Sequence, residues 1–258
     1  MFAQIRTKNP SAAPLRRSIV VPCRAVVRLG SRTHLELPRG TIEVNSIESI
    51  ENSRDKLRMK ECFSRFDVPQ ALYYTLEEVA AQGHLDEIPF PLVGKAIIGF
   101  KGHGMVLINN IDELESFLRT HNNHFFLEKF YGYAREYRIH ATQDHAFLSW
   151  RKLRKSDATE RWFFNSTNCN WVGESHELFH KPSNWSELEA AAVNAVRAVG
   201  LDIGCADIRV QSKDTPEFIV CEVNSAPALS EIGLEAYRNE IQQIIINKYE
   251  QQRNIRRQ

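Results

Sequence analysis

Two short stretches in the last quarter of the chain carry residue types suited to a charged ligand. Asp207 lies in the run Cys205 to Arg209, and Glu222-Val223-Asn224 closes a second run that begins near Glu217. Side chains alternate along an extended strand, so Glu222 and Asn224 point to one face. If the two runs pair, Asp207 comes beside them. Two carboxylates and an amide oxygen are hard oxygen donors of the kind Mg²⁺ takes, and that ion usually completes its shell with water and phosphate oxygens. A plain polar face on a two-stranded ribbon is the competing reading of Glu-x-Asn alone. Carboxylates at the ends of otherwise apolar strands are costly to leave without partners, which favours a ligand.

Three further constellations add to this pair. Lys95 precedes the segment Gly99-Phe100-Lys101-Gly102-His103-Gly104. Glycines let backbone N–H groups approach phosphates closely, and a lysine supplies a point charge for them. The spacing is neither GxxxxGK[ST] nor GxGxxG, so no P-loop or dinucleotide fingerprint is present. Next come Glu128-Lys129-Phe130 and Arg135-Glu136-Tyr137-Arg138-Ile139-His140. A polar-apolar strand edge of this type can read a nucleobase through its backbone while an acid holds sugar hydroxyls. Last is the cationic run Arg151-Lys152-Leu153-Arg154-Lys155, a solvated hairpin unless it faces a phosphate.

The elements that must position these groups follow from periodicity and punctuation. Strands are expected over Ser18–Leu29, Leu92–Ile98, Met105–Ile108, Phe125–Phe130, Arg135–Thr142, His145–Lys152, Ile203–Val210 and Glu217–Val223. Helices are expected over Ser53–Phe66, capped by Asn52 or Ser53, and over Asp112–Arg119, Trp185–Val199 and Leu234–Tyr249. Strands and helices mix without strict alternation, which predicts an α+β fold with antiparallel sheets.

Composition bounds the class. The chain has 258 residues, 43% hydrophobic and 25% charged, with a formal charge of +1. That balance sets up no overall field demanding nucleic acid or an anionic membrane. No apolar run approaches the length of a membrane span. The five cysteines, Cys23, Cys62, Cys169, Cys205 and Cys221, are scattered without a CxxC pair. This argues against a disulfide framework or zinc ribbon and for a reducing, cytoplasmic setting. Seven Lys and Arg residues precede the first acid, Glu36, and predict a frayed basic leader; the closing Arg253 to Gln258 predicts a solvated tail.

Taken in order, Asp55-Lys56, Lys95 with its glycine segment, Glu128-Lys129-Phe130, Glu136-Tyr137-Arg138, Asp207-Ile208-Arg209 and Glu222-Val223-Asn224-Ser225-Ala226-Pro227 resemble the ATP-grasp superfamily. Within it the chain looks most like RimK-like carboxylate–amine ligases and their compact, phage-type relatives. The resemblance covers about Asn52 to Ile246. It implies two α+β lobes with antiparallel sheets clasping ATP, lobe 1 over 52–125 and lobe 2 over 126–250. Residues 1–51 are then the remnant of a preceding domain, and residues 251–258 a basic tail.

The resemblance also implies roles. Lys56 and Lys95 match lysines that hold ATP phosphates, and Gly102, His103 and Gly104 match the loop that closes over them. Glu128, Lys129 and Phe130 match the hinge strand lining the adenine pocket, and Glu136 the acid on the ribose. Asp207, Glu222 and Asn224 match the ligands of one or two Mg²⁺ ions, with Mn²⁺ an acceptable substitute. Arg138, Lys152 and Arg209 match basic positions near the γ-phosphate and the acyl substrate. The implied activity is ATP-dependent amide or peptide bond formation through an acyl-phosphate. The implied partners are ATP, a carboxylate substrate and an amine acceptor, a protein or peptide among them, with no membrane or nucleic acid and the oligomeric state open. Only 55 residues precede Lys56, fewer than relatives place there, so substrate recognition is expected to differ or to come from a partner subunit or a macromolecular substrate. The basic run 151–155 and the aromatic stretch Arg161 to Trp171 are the segments to examine for it. A kinase that stops at phosphoryl transfer and a non-catalytic nucleotide-binding module are the competing classes.

Overall fold

The computed structural model describes residues 1–81, 87–99, 104–159, 162–164, 168–212 and 217–255. Three sheets organise it. The N-terminal sheet joins β1 (Gln4–Thr7), β2 (Ala25–Leu29) and β3 (Ile42–Val44), all parallel. After it come two helices, α1 (Ile47–Arg54) and α2 (Lys56–Arg65). The second sheet has the order β4-β7-β5-β6, built from β4 (Tyr73–Thr75), β5 (Leu92–Ala96), β6 (Val106–Ile108) and β7 (Phe125–Lys129), with helices α3 (Leu76–Ala81) and α4 (Ile111–Thr120) between its strands. The third has the order β10-β9-β8-β11-β12, from β8 (Arg135–Thr142), β9 (Ala146–Arg154), β10 (Cys169–Gly173), β11 (Ile203–Val210) and β12 (Phe218–Asn224). Helix α5 (Trp185–Ala198) precedes β11, and α6 (Glu231–Ile255) ends the chain.

Strand alternation gives both antiparallel sheets an apolar and a polar face. In the third sheet Tyr137, Ile139 and Ala141 of β8, with Ala206, Ile208 and Val210 of β11, are fully buried in one core with Leu188, Ala192, Ala195 and Val196 of α5. The intervening residues Glu136, Arg138, His140, Asp207 and Arg209 therefore face the other way. In the second sheet Leu92 and Leu127 pack with Leu114 and Phe117 of α4. Lys95, Phe126 and Glu128 then occupy the opposite face. The two polar faces bound one cleft.

The expected single helix over Ser53–Phe66 is two helices. Asp55 leaves the helical region (φ −83, ψ 112) and its carboxylate accepts from Arg58 N, so Asp55 caps α2 while Ser46 caps α1. This break starts α2 at Lys56, whose N–H donates to Ile97 O at 3.1 Å just past β5. The first phosphate-binding candidate is thereby tied to the end of the strand that carries the second.

The N-terminal segment is not a frayed leader. Val27, Leu29, Ile42 and Val44 are buried against Tyr237, Ile241 and Ile245 of α6. Its charges are accommodated at the margins, and the fully buried Arg28 pairs with Glu43. The two lobe sheets are antiparallel as expected, and β1, β2 and β3 of the N-terminal segment run parallel because long crossings join them. Residues 251–255, expected as tail, are the end of α6. The second sheet also runs on through Lys129, so the expected division at 125/126 falls inside β7. Helices α1 and α2 pack with α5 in the core of the third sheet.

Asn45 locks the N-terminal segment to the strand that carries Asp207. It is fully buried at φ 59, a region asparagine tolerates better than most residues. Its Nδ2 donates to Arg28 O (3.0 Å) and Ile203 O (2.9 Å), and its Oδ1 accepts from Asp202 N (2.8 Å) and Ile203 N (3.1 Å). Asn45→Gly keeps the backbone conformation but leaves these four groups unpaired. It should cost roughly 2–4 kcal/mol by net hydrogen-bond values. Urea unfolding with circular dichroism measures it, and a loss no larger than that of an exposed Asn→Gly change would contradict the stapling role.

Candidate active site

The cleft between the second and third sheets encloses about 570 Å³, in the range of small-molecule sites. Its described lining includes six cations, Lys56, Lys60, Lys95, Arg138, Lys152 and Arg209, and four carboxylates, Glu128, Glu136, Asp207 and Glu222. Strand register explains their arrangement. Glu136 stands opposite Lys152 on β9 and Arg209 on β11, forming one row across the sheet. Asp207 stands opposite Arg138 on β8 and Glu222 on β12, forming the next.

Each row is knitted by ion pairs. Arg138 grips Asp207 with two parallel bonds, Nε to Oδ1 at 2.7 Å and Nη2 to Oδ2 at 2.8 Å. Lys152 bridges the rows, reaching Asp207 Oδ2 at 3.0 Å and pairing with Glu136 as well. Arg209 Nε donates to Glu136 Oε2 at 2.9 Å. Burial alone would push both carboxyls up, but these cations hold Glu136 and Asp207 below the usual carboxylate range. Burial likewise disfavours the Lys152 ammonium, and its two carboxylate partners raise its pKa despite that.

Across the cleft Glu128 is clasped by two lysines, Lys95 at 2.6 Å and Lys60 at 2.8 Å. Burial opposes its ionisation, yet Lys60 and Lys95 bring its pKa to about 2. Lys56 has a weaker anchor, donating to Gly99 O at 3.1 Å. Burial lowers its pKa, with Glu222 opposing and Lys95 reinforcing the shift. An ammonium held by one carbonyl beside another lysine is a receptor for anionic oxygen.

β12 carries a bulge opposite Asp207/Ile208, which brings both Cys221 and Glu222 to the cleft while Val220 and Val223 stay in the core. Asn224 Nδ2 donates to Glu222 Oε1 at 3.1 Å, so the two expected oxygen ligands are adjacent. The third, Asp207, is their neighbour in register, but both its oxygens are occupied by Arg138 and Lys152. Among the described residues no three His, Cys, Asp or Glu side chains group as a metal site. Glu222 and the Asn224 amide oxygen therefore fit a Mg²⁺ ion that takes its remaining ligands from water and phosphate. Burial pushes the Cys205 and Cys221 thiols up to about 12, which leaves neither poised as a nucleophile.

The structure brings together most of the residues singled out from sequence: Lys56, Lys95, Glu128, Glu136, Arg138, Lys152, Asp207, Arg209, Glu222 and Asn224 all line the cleft. Lys129 and Phe130 are not among its lining. Lys129 points away from Glu128's face and donates through Nζ to Phe90 O at 2.6 Å, and Phe130 packs edge-on against Trp162. Gly102 and His103 lie outside the described residues; Gly104 is described, at φ 72. Sequence reasoning missed Lys60, although its spacing of four from Lys56 puts it on the same helix face. It also missed Phe126, Trp150 and Asn9, for which strand alternation and long-range packing are the relevant signals.

Two lobes closing their sheets over a cleft of lysines, arginines and carboxylates define an ATP-grasp fold. The chain belongs to the RimK-like ATP-grasp domain family, whose model matches residues 53–247. It is 30% identical over 204 residues to a "Probable alpha-L-glutamate ligase" of Aeromonas salmonicida (strain A449), covering 76% of this chain. A protein of the same description from Vibrio vulnificus (strain YJ016) is 29% identical over 214 residues. The chain spans 63% and 64% of the length of these two relatives. Among solved structures it resembles the D-alanine–D-alanine ligase of Bacillus anthracis complexed with ATP, with TM-score 0.62 and 15% identity over 88% of this chain and 81% of that one. It also resembles the VanG D-Ala:D-Ser ligase of Enterococcus faecalis, with TM-score 0.63 and 17% identity over 87% and 72%. The likeness to these two concerns the fold.

Lys60→Met retains length and apolar stem but leaves Glu128 with one cation. Breaking a buried pair from one side should cost about 3–5 kcal/mol. Thermal and urea unfolding check it, and a loss below 1 kcal/mol, of order RT, would count against the pair. Glu128 also makes stability pH-dependent. Its folded pKa lies below the ordinary 4.5, so the stability it contributes is complete above that value and drains away as pH falls toward about 2. The unfolding midpoint should drop over this window, and less steeply in Glu128→Gln.

Proposed function

We propose that this chain is the catalytic domain of an ATP-dependent carboxylate–amine ligase that works through an acyl-phosphate. The observation that carries the reading is the cleft itself: phosphate-seeking lysines on one wall, and Glu222, Asn224 and an arginine–lysine net on the other, within the matched family span. ATP lies between them with its phosphates at Lys56 and Lys95. Glu222 and Asn224 would hold Mg²⁺, or Mn²⁺ in its stead, and Asp207 positions Arg138 and Lys152. When bound, the ion neutralises phosphoryl oxygens and draws the donor into line.

The chemistry then follows from charge. A substrate carboxylate oxygen attacks the γ-phosphorus, the bond to ADP breaks, and Arg138, Lys152 and Arg209 offset the charge on the transferring group. A neutral amine attacks the acyl carbon, phosphate leaves, and the amine's surplus proton passes to solvent. No nucleophilic side chain is needed, in keeping with the inert thiols. The names of the relatives favour glutamate as the amino acid joined. Among the described residues no helix is long and apolar enough to cross a membrane, and a cytoplasmic setting suits a substrate as costly as ATP.

Lys95→Ala should weaken binding of a non-hydrolysable ATP analogue at least tenfold in calorimetric titration, since a charge-assisted hydrogen bond is lost. Glu222→Gln should leave that binding within a few-fold and abolish turnover. With ATP, Mg²⁺, glutamate and candidate carboxylates, the ligase yields ADP, free phosphate and a condensed product by mass spectrometry. Hydroxylamine in place of the amine should trap a hydroxamate. A stable phosphorylated product without phosphate release would replace the ligase by a kinase, and wild-type turnover in Glu222→Gln would remove Glu222 from the site.

A further inference from the structure

One wall of the cleft is aromatic beyond anything that phosphate transfer uses. Trp150 stands directly opposite Arg138 in the β8–β9 register, and Trp171 directly opposite Lys152 in the β9–β10 register. Both line the cleft, as does Phe164. The Trp171 ring lies 4.7 Å from the Arg138 guanidinium carbon and 5.1 Å from Lys152 Nζ, measured to its centroid. Phe164 covers Arg154 at 4.5 Å. On the outer side of Trp150, Gly173 makes room for the indole, since a Cβ there would come within 3.2 Å of it. Trp171 remains 37% exposed.

The placement has a chemical consequence. Among the described residues Arg138 spends Nε and Nη2 on Asp207, which leaves Nη1 for a ligand oxygen. A carboxylate that reaches this cation for phosphorylation must extend its body past the rings that flank it. Rings stack on rings at offset or edge geometry and reward flat groups over small aliphatic ones.

We propose that Trp171, with Trp150 and Phe164, forms the specificity wall for the carboxylate substrate and selects an acid bearing an aromatic ring next to its carboxyl end. The proposal rests on the ligase reading for the carboxylate's position, and on the aromatic wall alone for its preference. Trp171 is the specificity-determining residue. Its open surface takes the substrate's ring.

The test titrates the full chain with N-acetyl-L-phenylalanine and N-acetyl-L-alanine by calorimetry, with and without Mg²⁺ and a non-hydrolysable ATP analogue. Wild-type protein should prefer the aromatic acid by about tenfold. Trp171→Ala should abolish that preference, with the larger loss on the phenylalanine derivative, and Trp171→Phe should retain most of it. Equal affinity of wild type for the two acids, or no saturable binding of either, overturns the proposal. So does a Trp171→Ala loss that falls equally on both acids, which would make the ring a mere prop for Arg138 and Lys152. Failure of the ATP analogue to bind wild type would instead count against the ligase reading, and the acid preference without nucleotide would still judge the wall.

Discussion

Five side chains on one face of the third sheet, Glu136, Arg138, Lys152, Asp207 and Arg209, sit almost out of water, and none could be there alone. An isolated buried charge costs several kcal/mol even after relaxation, and removing one partner from such a net leaves that cost unopposed. Three cations against two carboxylates satisfy most of it and leave one surplus positive charge facing the cleft. The sheet makes this possible. Direct cross-strand register brings each carboxylate opposite its cations, and the apolar residues that alternate with them anchor the same strands to α5. The core and the charged net are therefore two faces of one set of strands, and disturbance of either is felt by the other.

The opposite wall repeats this logic on a smaller scale. Glu128 is neutralised by the buried Lys60 and by Lys95, which it holds in a fixed position at the edge of the cleft. Among the described residues Lys56 Nζ has a carbonyl as its hydrogen-bond partner. The cleft as a whole thus presents charges already held in place by their partners. Fixed dipoles and charges of this kind stabilise phosphoryl transfer without a nucleophilic side chain.

The N-terminal sheet belongs to this machinery through contact. Asn9 lines the cleft and donates to Ala226 O at 3.3 Å, Ser11 Oγ accepts from Leu229 N at 2.9 Å, and Gly30 approaches Ala226 so closely that a Cβ would lie 2.6 Å from that residue's own. Together with the Asn45 staple, these contacts brace the loop that follows Asn224 and the start of β11. Segments two hundred residues apart in sequence set the height of the same cleft wall.

The order of charged motifs, the alternation that turns Glu222 and Asn224 to one face, and the long periodic helices were all legible in the residues themselves, because each is a local rule of spacing. So were the strands β8 and β11, whose bounds depend on uninterrupted alternation. The break at Asp55 shows in the sequence only as a capping residue within a longer apolar period. Three things lay beyond local rules. The basic N-terminus folds because α6 offers an apolar stripe from the far end of the chain. Asp207 is paired with Arg138 and Lys152 because register sets them opposite and beside it. Lys60 and Trp171 join the site because a neighbouring helix and an edge strand bring them there. Sequence by itself determined which chemistry the chain can carry, since residue type and period fix donors, charges and faces. Tertiary structure alone decided which charges neutralise one another, because the partner of a buried charge is chosen by the packing of strands and helices that the chain brings together from distant positions.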